Sequence, residues 1–185
     1  MATATQTQTQ TLTDLLRQDH NRMKMLFNDF ERSDGRARKR IVSDALGLIS
    51  MHDLIEQTVL YPAVTGVANI PRRLVLRCEE SHHMVHLLMA ELKVKPYSEQ
   101  YFAKFSKLAD GIVEHIEEEE NELFPMIEGS SDIDNEDLGR RMLALKESST
   151  SMVSRAFGAG GGKFASLALF AGIGWAVYQS FAGEE

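Results

Sequence analysis

Seven residues of this sequence are of types that bind transition metals and lie on the apolar sides of segments with helical periodicity: His20, His52, Glu56, His82, His86, His115 and Glu119. Six of them form three pairs whose members are four residues apart. Four residues turn a helix by about 400°, so the members of each pair share one face within about 40°. Both side chains of a pair can therefore reach the same point inside a helical bundle.

This combination of side chains favours a site for two metal ions. Burying ionised carboxylates beside imidazoles is unfavourable unless a cation compensates the charge. Seven ligands are too many for one ion, whereas carboxylates bridge two ions readily. Imidazole and carboxylate ligands without a thiolate suit iron or manganese better than a structural zinc ion.

The elements that must position these residues are predicted to be helices. Apolar residues recur at bundle spacing in four long segments, which predicts an all-α, up-down-up-down antiparallel four-helix bundle. The first helix is expected to start at Thr13–Asp14 and the second to end before Pro62. A short fifth helix over residues 135–147 is expected on the outside of the bundle. The level of each histidine in the bundle can be compared by counting residues from the loop that joins two neighbouring helices. At the first two loops the two histidines differ in level by less than about 5 Å, and at the third loop the difference is larger.

Four motifs of the chain resemble the hemerythrin family, in its branch of HHE cation-binding domains. They are DHNRM at 19–23, HDLIE at 52–56, ESH at 80–82, and HIEEEE at 115–120 running into LFP at 123–125. The resemblance covers about residues 12–147. It implies a bundle in which five histidines and two carboxylates hold an oxo- or hydroxo-bridged di-iron centre, with one vacant position for dioxygen. By position, the ligands would be the seven residues named above, with Glu56 and Glu119 as bridges.

Two assignments on these helices have alternatives. In the oxygen carriers of the family, the last carboxylate lies five residues after its histidine, a position that is Glu120 here. Glu119 has the four-residue spacing of the HHE branch and keeps to the apolar side, so we expect Glu119 to be the ligand. Many HHE proteins lack a counterpart of His86. With His86 present, this chain resembles the oxygen binders of the family, which have the full set of five histidines. His83 is expected in a supporting position or in solvent.

Composition sets further limits on the whole chain. A net charge of −7 argues against nucleic acid as a main partner, because phosphate binding requires a basic face. The single cysteine, Cys78, excludes an intramolecular disulfide and fits a reducing, cytoplasmic compartment. Residues 1–11 have neither the basic nor the apolar region of a secretory signal, and we expect them to form a disordered leader.

The C-terminal part of the chain has a different composition. The bundle is expected over residues 12–149, a Gly-rich linker over 150–163, and a hydrophobic helical segment over 164–185. Residues 164–183 carry no charge and would span about 30 Å as a helix. Two interpretations stay open: a membrane anchor, or a helix that packs on a second copy of the chain in a homo-oligomer.

Three classes of function are compatible with these features. The favoured class is reversible binding of dioxygen for storage, delivery or sensing. The second is a di-iron redox enzyme or iron-handling protein that acts on peroxide or nitric oxide. The third is a sensing or structural module that reports through the C-terminal segment. The sequence favours a binding or sensing protein over an enzyme.

Overall fold

The computed structural model describes residues 10–94 and 99–157, and all regular secondary structure in these ranges is helical. In chain order the elements are α1 (Leu12–Glu31), α2 (Gly35–Ile55), the π-helical turn π1 (Glu56–Leu60), α3 (Tyr61–Val64), α4 (Arg72–Val94), α5 (Glu99–Glu118), the π-helical turn π2 (Glu119–Leu123), α6 (Phe124–Glu128) and α7 (Asn135–Phe157).

Four long helices form an antiparallel bundle. Helix α1 packs against α2, α4 packs against α5, and α1 also contacts α5. The connection between α1 and α2 is short because Gly35 adopts a positive φ of 48°, which a glycine accepts without strain. The predicted all-α bundle is confirmed.

Helix α1 begins two residues earlier than the sequence suggested. Thr11, and not Thr13, is the N-cap: its hydroxyl accepts a hydrogen bond from the backbone N–H of Asp14 at 3.2 Å. The Asp14 carboxylate accepts in return from the backbone N–H of Thr11 at 3.3 Å. This reciprocal capping box satisfies two otherwise unpaired donors at the helix start.

The second bundle helix does not end before Pro62 as predicted. It continues through π1 into α3, and the backbone N–H of Tyr61 bonds to the carbonyl of Glu56, five residues back. Proline lacks an N–H and its ring crowds the carbonyl four residues earlier, so a widened turn lets the helical path continue. The same kind of widened turn occurs before Pro125, where the backbone N–H of Phe124 bonds to the carbonyl of Glu119.

Two apolar clusters fill the bundle, one on each side of a polar layer. The first cluster includes Leu16, Ile55, Cys78 and Leu123. The second contains residues of the same four bundle helices at other levels, among them Met23, Ile49, Val85 and Ile112. Each bundle helix therefore contributes residues to both clusters, and the polar layer lies between them.

The fifth helix, α7, starts at the predicted residue but is longer than predicted. It runs to Phe157, so residues 150–157 of the expected linker are helical. No glycine or proline occurs between Glu147 and Phe157, and serine and threonine lower helix propensity by only a few tenths of a kcal/mol. The remaining linker residues, 158–163, lie outside the described residues, as does most of the expected leader, 1–9.

Helix α7 is joined to α1 by polar contacts. The Asn135 side chain bonds to Thr13 at 3.0 Å, and the Lys146 ammonium lies 2.7 Å and 2.9 Å from the two oxygens of Asp19. At Gly139 the backbones approach so closely that an added Cβ would lie 2.3 Å from the carbonyl oxygen of Gln10. The fifth helix is thus held against the start of α1.

Within the described ranges, no helix combines the length and the apolar character that crossing a membrane requires. The candidate membrane segment, residues 164–183, lies outside these ranges.

We expect Gly139→Ala to lower the free energy of unfolding by about 1–3 kcal/mol, because backbone atoms leave no room for the new methyl group. Gly47→Ala is the matched control, since its added Cβ would meet nothing within 4 Å. The control should be neutral or more stable by up to about 1 kcal/mol, as alanine is the better helix former. Chemical denaturation measures both changes, and equal stabilities would contradict the close packing of α7 on α1.

Candidate metal centre

The polar layer between the apolar clusters gathers one histidine from each bundle helix. His20, His52, His82 and His115 come from α1, α2, α4 and α5, and each is at most 5% exposed. Glu56 and Glu119 start the two π turns and are fully buried. The structure therefore brings six of the seven predicted ligands to one layer.

These six residues form two groups that share one carboxylate. The first group consists of His20, His52, Glu56 and Glu119, and the second of Glu56, His82 and His115. Within each group, one donor atom per residue lies within 4.8 Å of all the others. Within each group the two imidazoles face each other through their Nε2 atoms. The Nε2–Nε2 distance is 3.2 Å between His20 and His52 and 3.1 Å between His82 and His115.

Glu56 spans the two groups with its two oxygens. Its Oε1 lies 2.8 Å from Nε2 of His52, and its Oε2 lies 3.0 Å from Nε2 of His82. Glu119 places a single oxygen between the groups: its Oε2 lies 3.5 Å from Nε2 of His20 and 3.6 Å from Nε2 of His115. Glu56 is thus arranged to bridge two ions through separate oxygens.

The carboxylates lack the hydrogen bonds that buried oxygens normally have. Both oxygens of Glu56 and Oε2 of Glu119 are buried without a donor. An unpaired buried carboxylate is strongly unfavourable, whereas a metal ion satisfies it. Two ligands bound at about 2.1 Å and at right angles to each other lie about 3 Å apart, which resembles the separations found here. The residues therefore fit metal ions in both groups.

Electrostatics supports the same interpretation. Burial raises the pKa of Glu119, and the neighbouring Glu56 raises it further, well above its usual range. Burial alone would also raise the pKa of Glu56, but the charge of His52 holds it well below. Burial, with the charge of His52, lowers the pKa of His20 to about 2. At His82, burial is outweighed by hydrogen bonds to Asp53 and Glu56, which hold its pKa well above its usual range. A buried layer that combines two carboxyl groups with four imidazoles is a site in which a multivalent cation would compensate charge.

A second set of side chains orients the imidazoles through Nδ1. Nδ1 of His20 lies 2.8 Å from Glu120, Nδ1 of His82 lies 2.6 Å from Asp53, and Nδ1 of His115 lies 2.8 Å from Ser81. His52 is the exception, with its Nδ1 4.0 Å from Asp19 and no hydrogen bond. Such partners fix the tautomer that leaves Nε2 free for a metal.

Sequence reasoning did not assign these supporting residues. The spacing indicates Glu120 only as an alternative ligand, and Asp53 and Ser81 adjoin ligand histidines in the sequence without a spacing that reveals their role. Their partners lie on other helices, so only packing identifies them. Glu119 is in the layer and Glu120 supports His20 from outside it.

His86, the seventh predicted ligand, lies outside both groups. Its Nε2 lies 2.8 Å from Oδ2 of Asp53, the carboxylate that also holds His82, and its side chain is 25% exposed. Asp53 thus joins His82 and His86 of α4, and burial opposed by these two hydrogen bonds leaves its pKa lowered to about 2. His83 is exposed.

We expect Asp53→Asn to weaken metal binding by about 10–100-fold, because the amide cannot hold His82 as the carboxylate does. Asp110→Asn, an exposed position on α5, is the control and should leave the affinity unchanged. Competition with a chelator of known affinity measures both. Equal affinities in the two variants would contradict the orienting role of Asp53.

Comparison with known proteins agrees with this geometry. The family model of the hemerythrin HHE cation binding domain matches residues 11–127. A crystal structure of a hemerythrin HHE cation binding domain-containing protein from Mycobacterium kansasii has a similar fold, with a TM-score of 0.67 at 19% identity. The match covers 85% of this chain and 98% of that one.

A curated relative, a DNA nickase from Nostoc sp., is 28% identical over 115 residues. These residues are 62% of this chain and 32% of the nickase, so the chain matches about a third of that protein's length. Residues 11–127, which the family model matches, contain the histidines and glutamates described above. This chain belongs to the hemerythrin HHE cation-binding domain family.

Proposed function

We propose that the chain is a non-haem di-iron protein that binds dioxygen reversibly, for storage, delivery or sensing. The observation that carries the proposal is Glu56, whose two oxygens face two separate pairs of histidines. A single-ion site has no need of such a bridge. The proposed ligands are the six residues of the buried layer, with His86 as a seventh if it turns away from Asp53.

Iron is the metal that this set of donors favours. The donors are imidazoles and carboxylates, and the buried thiol of Cys78 belongs to neither group. When bound, two ferrous ions would supply the electrons and the vacant position that dioxygen binding requires. The protein's own part is to hold the imidazoles in the correct tautomer, to bridge through Glu56, and to exclude bulk water with the two apolar clusters.

A second candidate is turnover of peroxide or nitric oxide at the same centre. The buried Tyr61 favours it, because its hydroxyl lies 3.3 Å from Glu119 and supplies a proton donor beside the metal positions. Nicking of DNA is not carried over from the Nostoc relative, since this chain matches only about a third of it and has a net charge of −7.

Iron content and optical spectra test the proposal. We expect about two irons per chain, together with charge-transfer bands that appear with oxygen and disappear when oxygen is removed. Irreversible oxidation, or rapid consumption of peroxide, would support the second candidate instead. Absence of stoichiometric iron in freshly purified protein would rule out both.

Two variants control for the assignment of the site. His52→Ala removes a buried donor and should lose iron, whereas His83→Ala changes an exposed histidine and should keep it.

We also propose that residues 164–183 attach the protein to a membrane or to a second copy of the chain, because they carry no charge over 20 residues. Removal of residues 158–185 should then release the protein from membranes or reduce its oligomeric state, while iron content stays unchanged. Fractionation and light scattering distinguish the two. An unchanged location and an unchanged mass would refute the attachment role.

A further inference from the structure

One histidine of the buried layer differs from the other three at Nδ1. Among the described residues, Nδ1 of His52 is buried and has no hydrogen-bond partner. Oδ2 of Asp19 lies 4.0 Å from it, which is about 1 Å longer than a hydrogen bond. Both residues are buried, with His52 4% and Asp19 7% exposed. His52 therefore has a carboxylate nearby that does not reach it.

The carboxylate of Asp19 is held by the fifth helix. The Lys146 ammonium of α7 donates to both of its oxygens, at 2.7 Å to Oδ2 and 2.9 Å to Oδ1. The oxygen that faces His52 is thus the one that lies closer to Lys146. Because Asp19 is buried, water screens this ion pair less than it would a pair on the surface.

Helix α7 is an addition to the part of the chain that the family model matches. The match ends at residue 127, and α7 covers Asn135–Phe157. Leu138 and Met142 anchor the first half of α7 in the apolar cluster below the layer. Further along, Lys146 joins α7 to Asp19, the residue directly before the ligand His20. The fifth helix therefore contacts the surroundings of the metal layer through a charged side chain.

His52 and Lys146 are two donors for one oxygen. When Nε2 of His52 is a metal ligand, its ring proton is on Nδ1. A buried N–H without an acceptor is unfavourable. Asp19 can accept from Nδ1 only if Oδ2 moves toward His52, and Oδ2 is the oxygen that Lys146 holds at 2.7 Å. The hydrogen bond to His52 therefore forms at the expense of the ion pair with α7.

We propose that His52 and Lys146 compete for Asp19, so that cation binding at His52 weakens the attachment of α7 to α1. Lys146 is then a positioning residue through which the fifth helix responds to the occupancy of the layer. The inference rests on the metal binding of the proposed function, but it does not require dioxygen as the natural ligand. Because α7 directly precedes residues 158–185, it connects the centre to the proposed attachment segment.

Hydrogen exchange measured by mass spectrometry on the full chain tests the proposal. Protein stripped with a chelator is compared with protein loaded anaerobically with ferrous iron, and iron content is measured on the same samples. We expect the amides of residues 146–157 to exchange about fivefold or more faster in the loaded protein. Amides of α1 and α2 should exchange more slowly, since a bound ligand stabilises the fold. The response of α7 thus has the opposite sign to general stabilisation.

The variant Lys146→Met keeps an unbranched side chain and removes the ammonium. Its α7 should exchange at one rate with and without iron. Because coupling between two sites is reciprocal, we expect this variant to bind iron about fivefold or more tightly than the wild type in competition with a chelator. Arg140→Met is the control on the same helix: it removes an exposed ion pair within α7, with Asp137, and should respond to iron like the wild type.

Three results would overturn the proposal. The first is exchange in α7 of the wild type that iron leaves unchanged or slows. The second is a Lys146→Met variant whose α7 still responds to iron as the wild type does. The third is weaker iron binding by Lys146→Met, because Lys146 would then hold Asp19 in place for His52. A chain that holds no iron at all would overturn the proposed function and this inference with it, whereas the three results at full iron content overturn only the inference.

Discussion

Glu56 is fully buried at the centre of the bundle, and neither of its oxygens receives a hydrogen bond. A bare carboxylate in such a place is unfavourable by several kcal/mol, and a second buried carboxylate, Glu119, adds repulsion. The imidazoles around it compensate part of this charge, and the layer could hold metal ions that compensate the rest. Most of the local architecture can be understood as a consequence: four histidines converge on the layer, and apolar clusters above and below exclude competing water.

Backbone irregularity contributes to this arrangement at two equivalent places. Pro62 and Pro125 would interrupt a regular α-helix, and the π turns before them accommodate the prolines while keeping the helical path. Each turn begins at a glutamate of the layer. The aromatic residue that precedes each proline then lies against a histidine from the other half of the bundle. A sequence feature that indicated the end of a helix therefore shapes the site instead.

The centre is symmetric in its backbone and asymmetric in its chemistry. One hydroxyl, that of Tyr61, distinguishes the two aromatic positions, and one carboxylate, Asp53, holds His86 away from the layer. Both act on the side of α4 and α5.

The sequence by itself determined the helical class, the family and the level of the donors along each helix, because a four-residue spacing keeps two side chains on one face whatever surrounds them. It also favoured Glu119 over Glu120, the residue that the structure places beside Nδ1 of His20. The tertiary structure alone decided which side chains orient the imidazoles and where His86 points, because these contacts join different helices. His86 has the correct spacing from His82 and still faces Asp53, since a side-chain rotamer responds to neighbours that the local sequence does not specify.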